Sequence, residues 1–221
     1  MAIAFRSASV NALVGTDNTP AEPTGAAEND IFVAIMVGAA ALTLGLPSGW
    51  SSLYAGSGSV MEFLVGWIRR GASAPSLTFT TVGSNYSEVR IAAFSGCLTS
   101  GSVIDSQSAS GGTGTATPGY PDPPSTTAVG SACMAVCGGG RWNDFGTSIT
   151  APTGYTAVVN NNDAQALAYK LLSGSGAEDP SAFGGSKADA SGDTWHGFTI
   201  TLSPVASGVV SPTSFMLLGV Q

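Results

Sequence analysis

Pro47-Ser48-Gly49-Trp50 returns in the second half of the chain as Pro152-Thr153-Gly154-Tyr155. An apolar segment precedes each copy, residues 31–37 in the first case and 132–137 in the second. A second apolar segment, with an aromatic residue followed by a basic one, comes after each copy. Two copies of one order of segments indicate two half-sandwiches that close on a shared core. The sequence therefore predicts a single duplicated domain.

Composition favours strands over helices. The 221 residues include 30 glycines and 12 prolines, and the apolar runs between them have strand length. We therefore predict an all-β protein, an antiparallel β-sandwich built from two repeated halves. Strands are predicted near residues 31–38, 126–138 and 195–203, among others. We predict an N-terminal strand and flexible arm over residues 1–29, a sandwich over residues 30–203 and a C-terminal tail or edge strand over residues 204–221. The sandwich consists of two halves, approximately 30–110 and 126–203, which are separated by a Pro/Gly-rich seam at 111–125.

Charge limits the partners that the chain can bind. The net charge is −7, and Arg69 and Arg70 are the only adjacent basic residues, so no nucleic-acid partner is expected. Charged residues make up 10% of the chain, against about a quarter in ordinary domains. Two explanations remain open: part of the surface is buried against other subunits in a homo-oligomer, or the sandwich is coated with Ser and Thr.

No membrane or export segment is predicted. The chain opens without the basic region and long apolar stretch of a signal peptide. The longest apolar run, from Ile31 to Leu46, is shorter than the roughly twenty residues that span a bilayer. Gly38 divides this run, which we interpret as two core strands.

The three cysteines cannot form a closed set of disulfides. Cys133 and Cys137 are four residues apart on a predicted strand, which separates them by about 13 Å at a rise of ~3.3 Å per residue. We expect Cys97 and both of these residues to be buried free thiols, consistent with folding in a reducing compartment.

Residue types that carry catalysis are sparse. His196 is the only histidine, and we interpret it as a packed or surface residue. Zinc-ligand spacings, phosphate-binding loops and nucleophile elbows are all missing from the sequence. The carboxylates are scattered, so we predict no enzyme, no catalytic residue and no cofactor, with a glycan hydrolase as a lesser alternative.

One acidic loop is a weak candidate for a calcium site. Asp189 and Asp193 flank the tripeptide Ala-Ser-Gly, and hard cations prefer several oxygen ligands in such a loop. The alternating ligands of an EF-hand are missing, which favours a plain acidic turn.

The repeated aromatic residues are Trp50, Trp67, Tyr155 and Tyr169. Exposed on one face, they would stack on sugar rings; buried, they would fill or cap the core. Recurrence at matching positions favours the core, because a duplicated fold must retain its core residues.

Five short motifs carry a resemblance to a known family of domains: residues 30–34, 46–50, 63–68, 92–96 and 103–105. In this order they resemble a recurrent domain of bacteriophage and prophage virion proteins, over roughly residues 30–203. The resemblance implies a jelly-roll-like β-sandwich with a structural or adhesive role and no catalytic residues.

The predicted function follows from this resemblance and from the missing catalytic residues. We expect a capsid decoration or cement protein that bridges major coat or other virion subunits and stabilises the particle by avidity. The alternative is a glycan-binding adhesin module on a tail or fibre. The expected location is the virion, reached after folding in the host cytoplasm and release by lysis.

The C-terminal tail is the predicted partner contact. Either it docks on a neighbouring subunit, or it pairs with Ile3 and Phe5 as an edge strand of the same sandwich. The candidate contact residues are apolar and consecutive: Phe215, Met216, Leu217 and Leu218.

Overall fold

The regular secondary structure in the described part of the chain consists of β-strands alone. The computed structural model describes residues 2–14, 17–40, 42–58, 60–83, 85–113, 119–141, 145–146, 148–158, 164–186 and 194–205. Within these ranges there is no helix long and apolar enough to cross a bilayer.

The described residues form sixteen strands. In chain order they are β1 (Ala4–Val14), β2 (Ile31–Ala39), β3 (Thr43–Gly45), β4 (Ser51–Ser57), β5 (Met61–Arg69), β6 (Thr80–Val82), β7 (Tyr86–Ser95), β8 (Ile104–Thr113), β9 (Thr126–Ala128), β10 (Met134–Arg141), β11 (Ile149–Thr150), β12 (Thr156–Ala157), β13 (Gln165–Leu171), β14 (Gly176–Glu178), β15 (Gly184–Gly185) and β16 (Thr194–Leu202).

Two five-stranded sheets contain the long strands. The first has the order β1-β7-β2-β5-β4 and the second has the order β12-β13-β10-β16-β8. Three two-stranded sheets, β3-β6, β9-β14 and β11-β15, complete the described part. All pairings are antiparallel, so the prediction of an all-β, antiparallel protein is confirmed.

Among the described strands, the chain passes from one large sheet to the other once, in residues 96–103. Strands β1 to β7 precede this crossing and β8 to β16 follow it. A jelly roll instead sends successive strands to alternate sheets, so the connectivity differs from the one that the resemblance implies. The crossing also comes before the expected seam at 111–125, because the Ser-rich β8 pairs with β16 in the second sheet.

The main core lies between the two large sheets. On β2, Ile31, Val33, Ile35 and Val37 point into it, as period-two alternation requires. The second sheet contributes the following buried residues: Met134, Val136, Leu167, Phe198, Ile200 and Leu202. Because one apolar cluster joins both inner faces, the architecture is that of a β-sandwich.

The outer face of each sheet is also covered. In the first sheet, Phe32 and Met36 pack outward in a second apolar cluster that includes Phe79. In the second sheet, Cys137 packs outward against a cluster that includes Phe145. All nine residues of β2 are therefore buried, although only alternate ones face the inter-sheet core.

Residues 17–29 pack against β1 and β7, which differs from the flexible arm expected from their composition. Asn18 is fully buried, and its side-chain amide donates to the carbonyls of Asn11 and Ser87. Arg70 and Glu22 form an ion pair of 2.7 Å at the other end of the segment. Hydrogen bonds and this ion pair hold a segment that has few apolar residues.

Candidate functional site

A cleft opens between the sheets where their edge strands β4 and β8 face each other. Its volume is about 270 Å³. The lining is apolar or neutral: Leu53, Tyr54, Gln107, Ser108, Ala109, Phe198 and Ile200. None of these seven residues carries a charge. The cleft therefore leads from solvent to the apolar space between the sheets.

An irregularity in β4 shapes one wall of the cleft. The pairing of β4 with β5 shifts register between Ser52 and Tyr54, so Leu53 is an additional residue in the ladder. Such a bulge disturbs strict alternation, and here both Leu53 and Tyr54 pack against the inter-sheet core. Two consecutive side chains thus line the cleft from the same short strand.

The opposite wall owes its space to a small residue. Ala109 of β8 pairs with Phe198 of β16, and Ser108 pairs with Thr199. Phe198 and Ile200 form the floor and are almost fully buried. A larger side chain at position 109 would fill the opening, so Ala109 sets the width of the cleft.

His196 lies beside the cleft and links the two sheets. Its Nδ1 is 3.1 Å from the hydroxyl of Tyr54, and its ring stacks on Phe63 with centroids 5.6 Å apart. Gly56 and Gly111 lie against the imidazole, where a Cβ atom would come within 2.6 Å and 2.2 Å of Nδ1. Burial lowers the pKa of His196, so the neutral form is favoured. The histidine is a packed residue.

Strand β8 has an open edge. Among the described strands, β16 is its only partner, and it runs for ten residues without proline. Its single charged residue, Asp105, accepts hydrogen bonds from the amides of Val129 and Gly130 near the start of the strand. After Asp105, the outer edge of β8 presents backbone N–H and C=O groups. This part of the strand carries no charged side chain that would disfavour pairing with another strand.

The other three edges of the large sheets are less open to pairing. Strand β12 has only two residues, and β4 carries the bulge at Leu53. Beside β1, the hydroxyl of Ser7 donates to the carbonyl of Thr24, and Asn11 donates to the carbonyl of Thr19. Short length, a bulge and a covering segment are the usual protections of sheet edges. Strand β8 has its own irregularity, at Asp105, but this lies at the start of the strand, and the eight residues from Ser106 to Thr113 pair with β16 in regular register.

The repeated aromatic residues are partly buried and engaged in contacts. Trp50 donates through Nε1 to the carbonyl of Ser76, and Tyr155 donates to Glu178. Trp67 packs on the inter-sheet core, and Tyr169 stacks on Phe5 with ring centroids 5.0 Å apart. The four side chains cover apolar clusters and do not form a common platform.

A buried polar group crosses the core on the side opposite the cleft. Gln165 donates to the carbonyls of Ile35 and Glu88, and the amide of Ala164 donates to the Glu88 carboxylate. Arg90 Nη2 lies 3.9 Å from Glu88 Oε1 on the same strand, β7. These contacts tie β7 of the first sheet to β13 of the second.

Several predicted site residues lie outside the described residues. They are the calcium candidates Asp189 and Asp193 and the partner-contact candidates Phe215, Met216, Leu217 and Leu218. Within the described ranges, no three His, Cys, Asp or Glu side chains come together in a possible metal site.

Sequence reasoning did not find the cleft. Its lining residues come from three strands distant in the chain, and only the bulge at Leu53 and the Ser-rich sequence of β8 mark them locally. Comparisons with family models, curated proteins and solved structures found no match.

Proposed function

We propose that this chain is a non-enzymatic structural protein of a bacteriophage or prophage particle, acting as a capsid decoration or cement protein that bridges other subunits. The observation that carries the proposal is the uncharged cleft between β4 and β8, beside the open edge of β8. Apolar surface with free strand edges is the pattern of a protein-contact site.

The chemistry of this side of the sandwich supports a protein partner. A strand added to β8 would gain main-chain hydrogen bonds, while its alternate side chains would enter the cleft next to Leu53, Phe198 and Ile200. A partner that binds in this way needs no charged residues at the contact, in keeping with a chain of which 10% is charged.

We further propose that the two large sheets are the halves of an internal duplication. Each has the same order when its own strands are followed: the first strand pairs with the last, and the last with the second. Val33 pairs with Trp67 in the first sheet, and Val136 pairs with Tyr169 in the second. Trp67 and Tyr169 thus take equivalent places, as the repeated aromatic residues predict.

The turns that precede β4 and β12 support the same proposal. The amide of Trp50 donates to the carbonyl of Pro47 at 3.2 Å, and the amide of Tyr155 donates to that of Pro152 at 3.0 Å. One turn geometry therefore follows one sequence motif in both halves.

The segments that lead into β2 and β10 also correspond. Among the described non-glycine residues, only Asn29 and Ala132 have a positive φ, 69° and 56°. Each is two residues before its strand, β2 or β10. This conformation is uncommon for a residue with a side chain, so its recurrence at matching places supports a common origin.

A carboxylate holds each of these segments, although it comes from different strands. The amide of Ala27 donates to Asp30 at 2.8 Å, and the amide of Gly130 donates to Asp105 at 3.2 Å. In the first half the acid belongs to the segment itself, whereas in the second it reaches over from β8. Both halves therefore have the same kind of contact, a backbone amide that donates to a carboxylate, although the acid lies on a different element in each half.

The phage setting rests on the resemblance of the five short motifs to virion proteins. A cement protein works through many modest contacts repeated over a lattice, so each contact can be small and uncharged. Our proposal places the β4–β8 side at such a contact with another subunit of the particle.

Mass spectrometry of purified particles from the source cells tests the proposal. We expect the chain in particles at a copy number comparable to that of a coat protein. For a direct test of the site, stripped particles are incubated with wild-type protein, with Ala109→Asp in the cleft, and with Ser110→Asp on the other face of β8. The proposal predicts that only Ala109→Asp loses binding. Particles without the chain, or equal binding by all three proteins, would overturn it.

A further inference from the structure

The described chain ends on the side of the sandwich opposite the cleft. The amide of Val205 donates to the carbonyl of Gly96 at 2.9 Å, and Pro204 forms a bridge with Cys97. Gly96 follows β7 and lies against Ala2, next to β1. Since β1 and β7 are at one edge of the first sheet and β4 is at the other, Val205 lies on the side away from β4 and β8.

We propose that the edge of β8 and its adjoining cleft bind the C-terminal segment of a second copy of this chain, centred on residues 213–218. The inference rests on the proposed structural function, which it deepens by naming the occupant of the cleft. Copies would then join through added strands, each copy giving its segment to the next one.

The segment and the cleft are chemically matched. Residues 213–218 read Thr-Ser-Phe-Met-Leu-Leu and contain no charge. In an extended strand Phe215 and Leu217 share one face, while Met216 and Leu218 share the other. Phe215 and Leu217 would enter the uncharged cleft, and the backbone would pair with the open edge of β8.

A second copy fits this site better than the segment of the same chain does. Nine residues separate Val205 from Phe215, which gives a reach of about 33 Å when fully extended. To reach its own cleft, the segment would cross from β7 past β4, about 15–20 Å at the usual strand spacing, and then climb along β8. It would also run parallel to β8, whereas all pairings in the described part are antiparallel. For the segment of a neighbouring copy, neither the reach from Val205 nor the direction along β8 is limited in this way.

The resulting contact joins two different surfaces. One copy gives a segment from the β1–β7 side, and the next accepts it on the β4–β8 side. Interfaces of this head-to-tail kind build rings when the rotation closes and open arrays when it does not. The arrangement therefore supplies an assembly mechanism that uses one contact repeatedly.

Sedimentation of the purified full chain tests the proposal without particles. We expect mass to increase over a roughly hundredfold range of concentration. Leu217→Asp in the segment and Ala109→Asp in the cleft should each weaken association by roughly a hundredfold or more, because either would bury an unpaired carboxylate. The matched controls Ser214→Asp and Ser110→Asp should associate as the wild type does.

Mixing the two defective variants gives the decisive result. Leu217→Asp retains an intact cleft and Ala109→Asp retains an intact segment, so together they should form heterodimers and nothing larger. If the segment bound its own cleft, both variants and their mixture would stay monomeric, and Leu217→Asp would melt at a lower temperature than Ser214→Asp. If β8 paired with β8 of another copy, Leu217→Asp would still associate. Either of these results, or a wild-type chain that is monomeric throughout, overturns the proposal.

Folding of each variant is checked by far-ultraviolet circular dichroism. If Ala109→Asp does not fold, the partly exposed Leu53→Asp on the facing wall replaces it. Failure of self-association would leave the particle-binding test unaffected, because that test measures binding to particles and not to a second copy in solution.

Discussion

The hydroxyl of Tyr54 lies 3.1 Å from Nδ1 of His196, and this contact joins β4 of the first sheet to β16 of the second. Elsewhere along the cleft the two edges are separated by open space. The pair therefore fixes one end of the cleft, while the cleft residues farther along β8 remain accessible to another strand.

Stability should fall in mild acid because of His196. Burial lowers the pKa of this histidine, so between its unfolded value of about 6.5 and its lower folded value the unfolded chain binds a proton that the folded one does not. Above that range His196 is neutral in both the folded and the unfolded chain. The free energy of unfolding therefore decreases as the pH drops through the range. The slope from one proton cannot exceed about 1.4 kcal/mol per pH unit.

Urea unfolding of wild type and His196→Gln between about pH 7.5 and 5.5 measures this effect. The wild type should lose more free energy of unfolding over the range than the variant does. Equal pH dependence in the two proteins would show that His196 does not titrate in this way.

The close approach of the sheets at β10 predicts a large effect of a small substitution. A Cβ at Gly138 would lie 2.7 Å from Phe198 Cε1 of its own sheet and 2.8 Å from Cδ1 of Ile35 on β2 of the first sheet. Gly138→Ala should therefore destabilise by about 1–3 kcal/mol through overpacking. Gly174→Ala is the control, because nothing lies within 4 Å of its Cβ, and it should change stability by less than about 0.5 kcal/mol. Similar denaturation midpoints for both would contradict the packing described.

The two related turns should respond alike to alanine. Gly49 and Gly154 have φ values of 87° and 81°, and added Cβ atoms would meet no close contact at either site. Each substitution should cost about 1–2 kcal/mol from the left-handed backbone, and the double variant should show additive losses. Thermal melts check this. A loss confined to one site would argue against equivalent turns and weaken the proposed duplication.

The cysteines should be unreactive in the folded protein. Burial, with a further contribution from Asp30, raises the pKa of Cys97 to about 12. Burial also raises the pKa of Cys133 and, further, that of Cys137. Because the thiolate is the reactive form, iodoacetamide at about pH 8 should label all three much faster in urea than in buffer. Rapid labelling of any one thiol in buffer would contradict its burial.

Strands with a strong apolar pattern were predictable from sequence. The predicted core strand at 31–38 is β2, Ile31–Ala39, and the predicted strand at 195–203 is β16, Thr194–Leu202. Where one strand is predicted at 126–138, the structure has two, β9 and β10. They are separated because Ala132 takes a positive φ, a conformation that nothing in the local sequence indicates. Glycine is the usual residue for that conformation.

The sheet to which β8 belongs could not be derived from its sequence. Half of its ten residues are Ser or Gly, so alternation gives no buried face, and the strand pairs with one almost a hundred residues away. The cleft depends on that pairing and on the bulge at Leu53. Both are consequences of tertiary packing. For His196 the sequence left a packed and a surface position open, and the structure shows the packed one.

Amide hydrogen exchange on β8, compared between isolated protein and protein bound in particles, tests most directly whether the β4–β8 side is the contact surface. Assembly should slow exchange in peptides covering Ile104–Thr113, because an added strand would protect the open edge. Peptides covering the exposed residues 71–74 serve as the internal control and should exchange equally in both states. Unchanged exchange along β8, with protection elsewhere on the sandwich, would contradict the account.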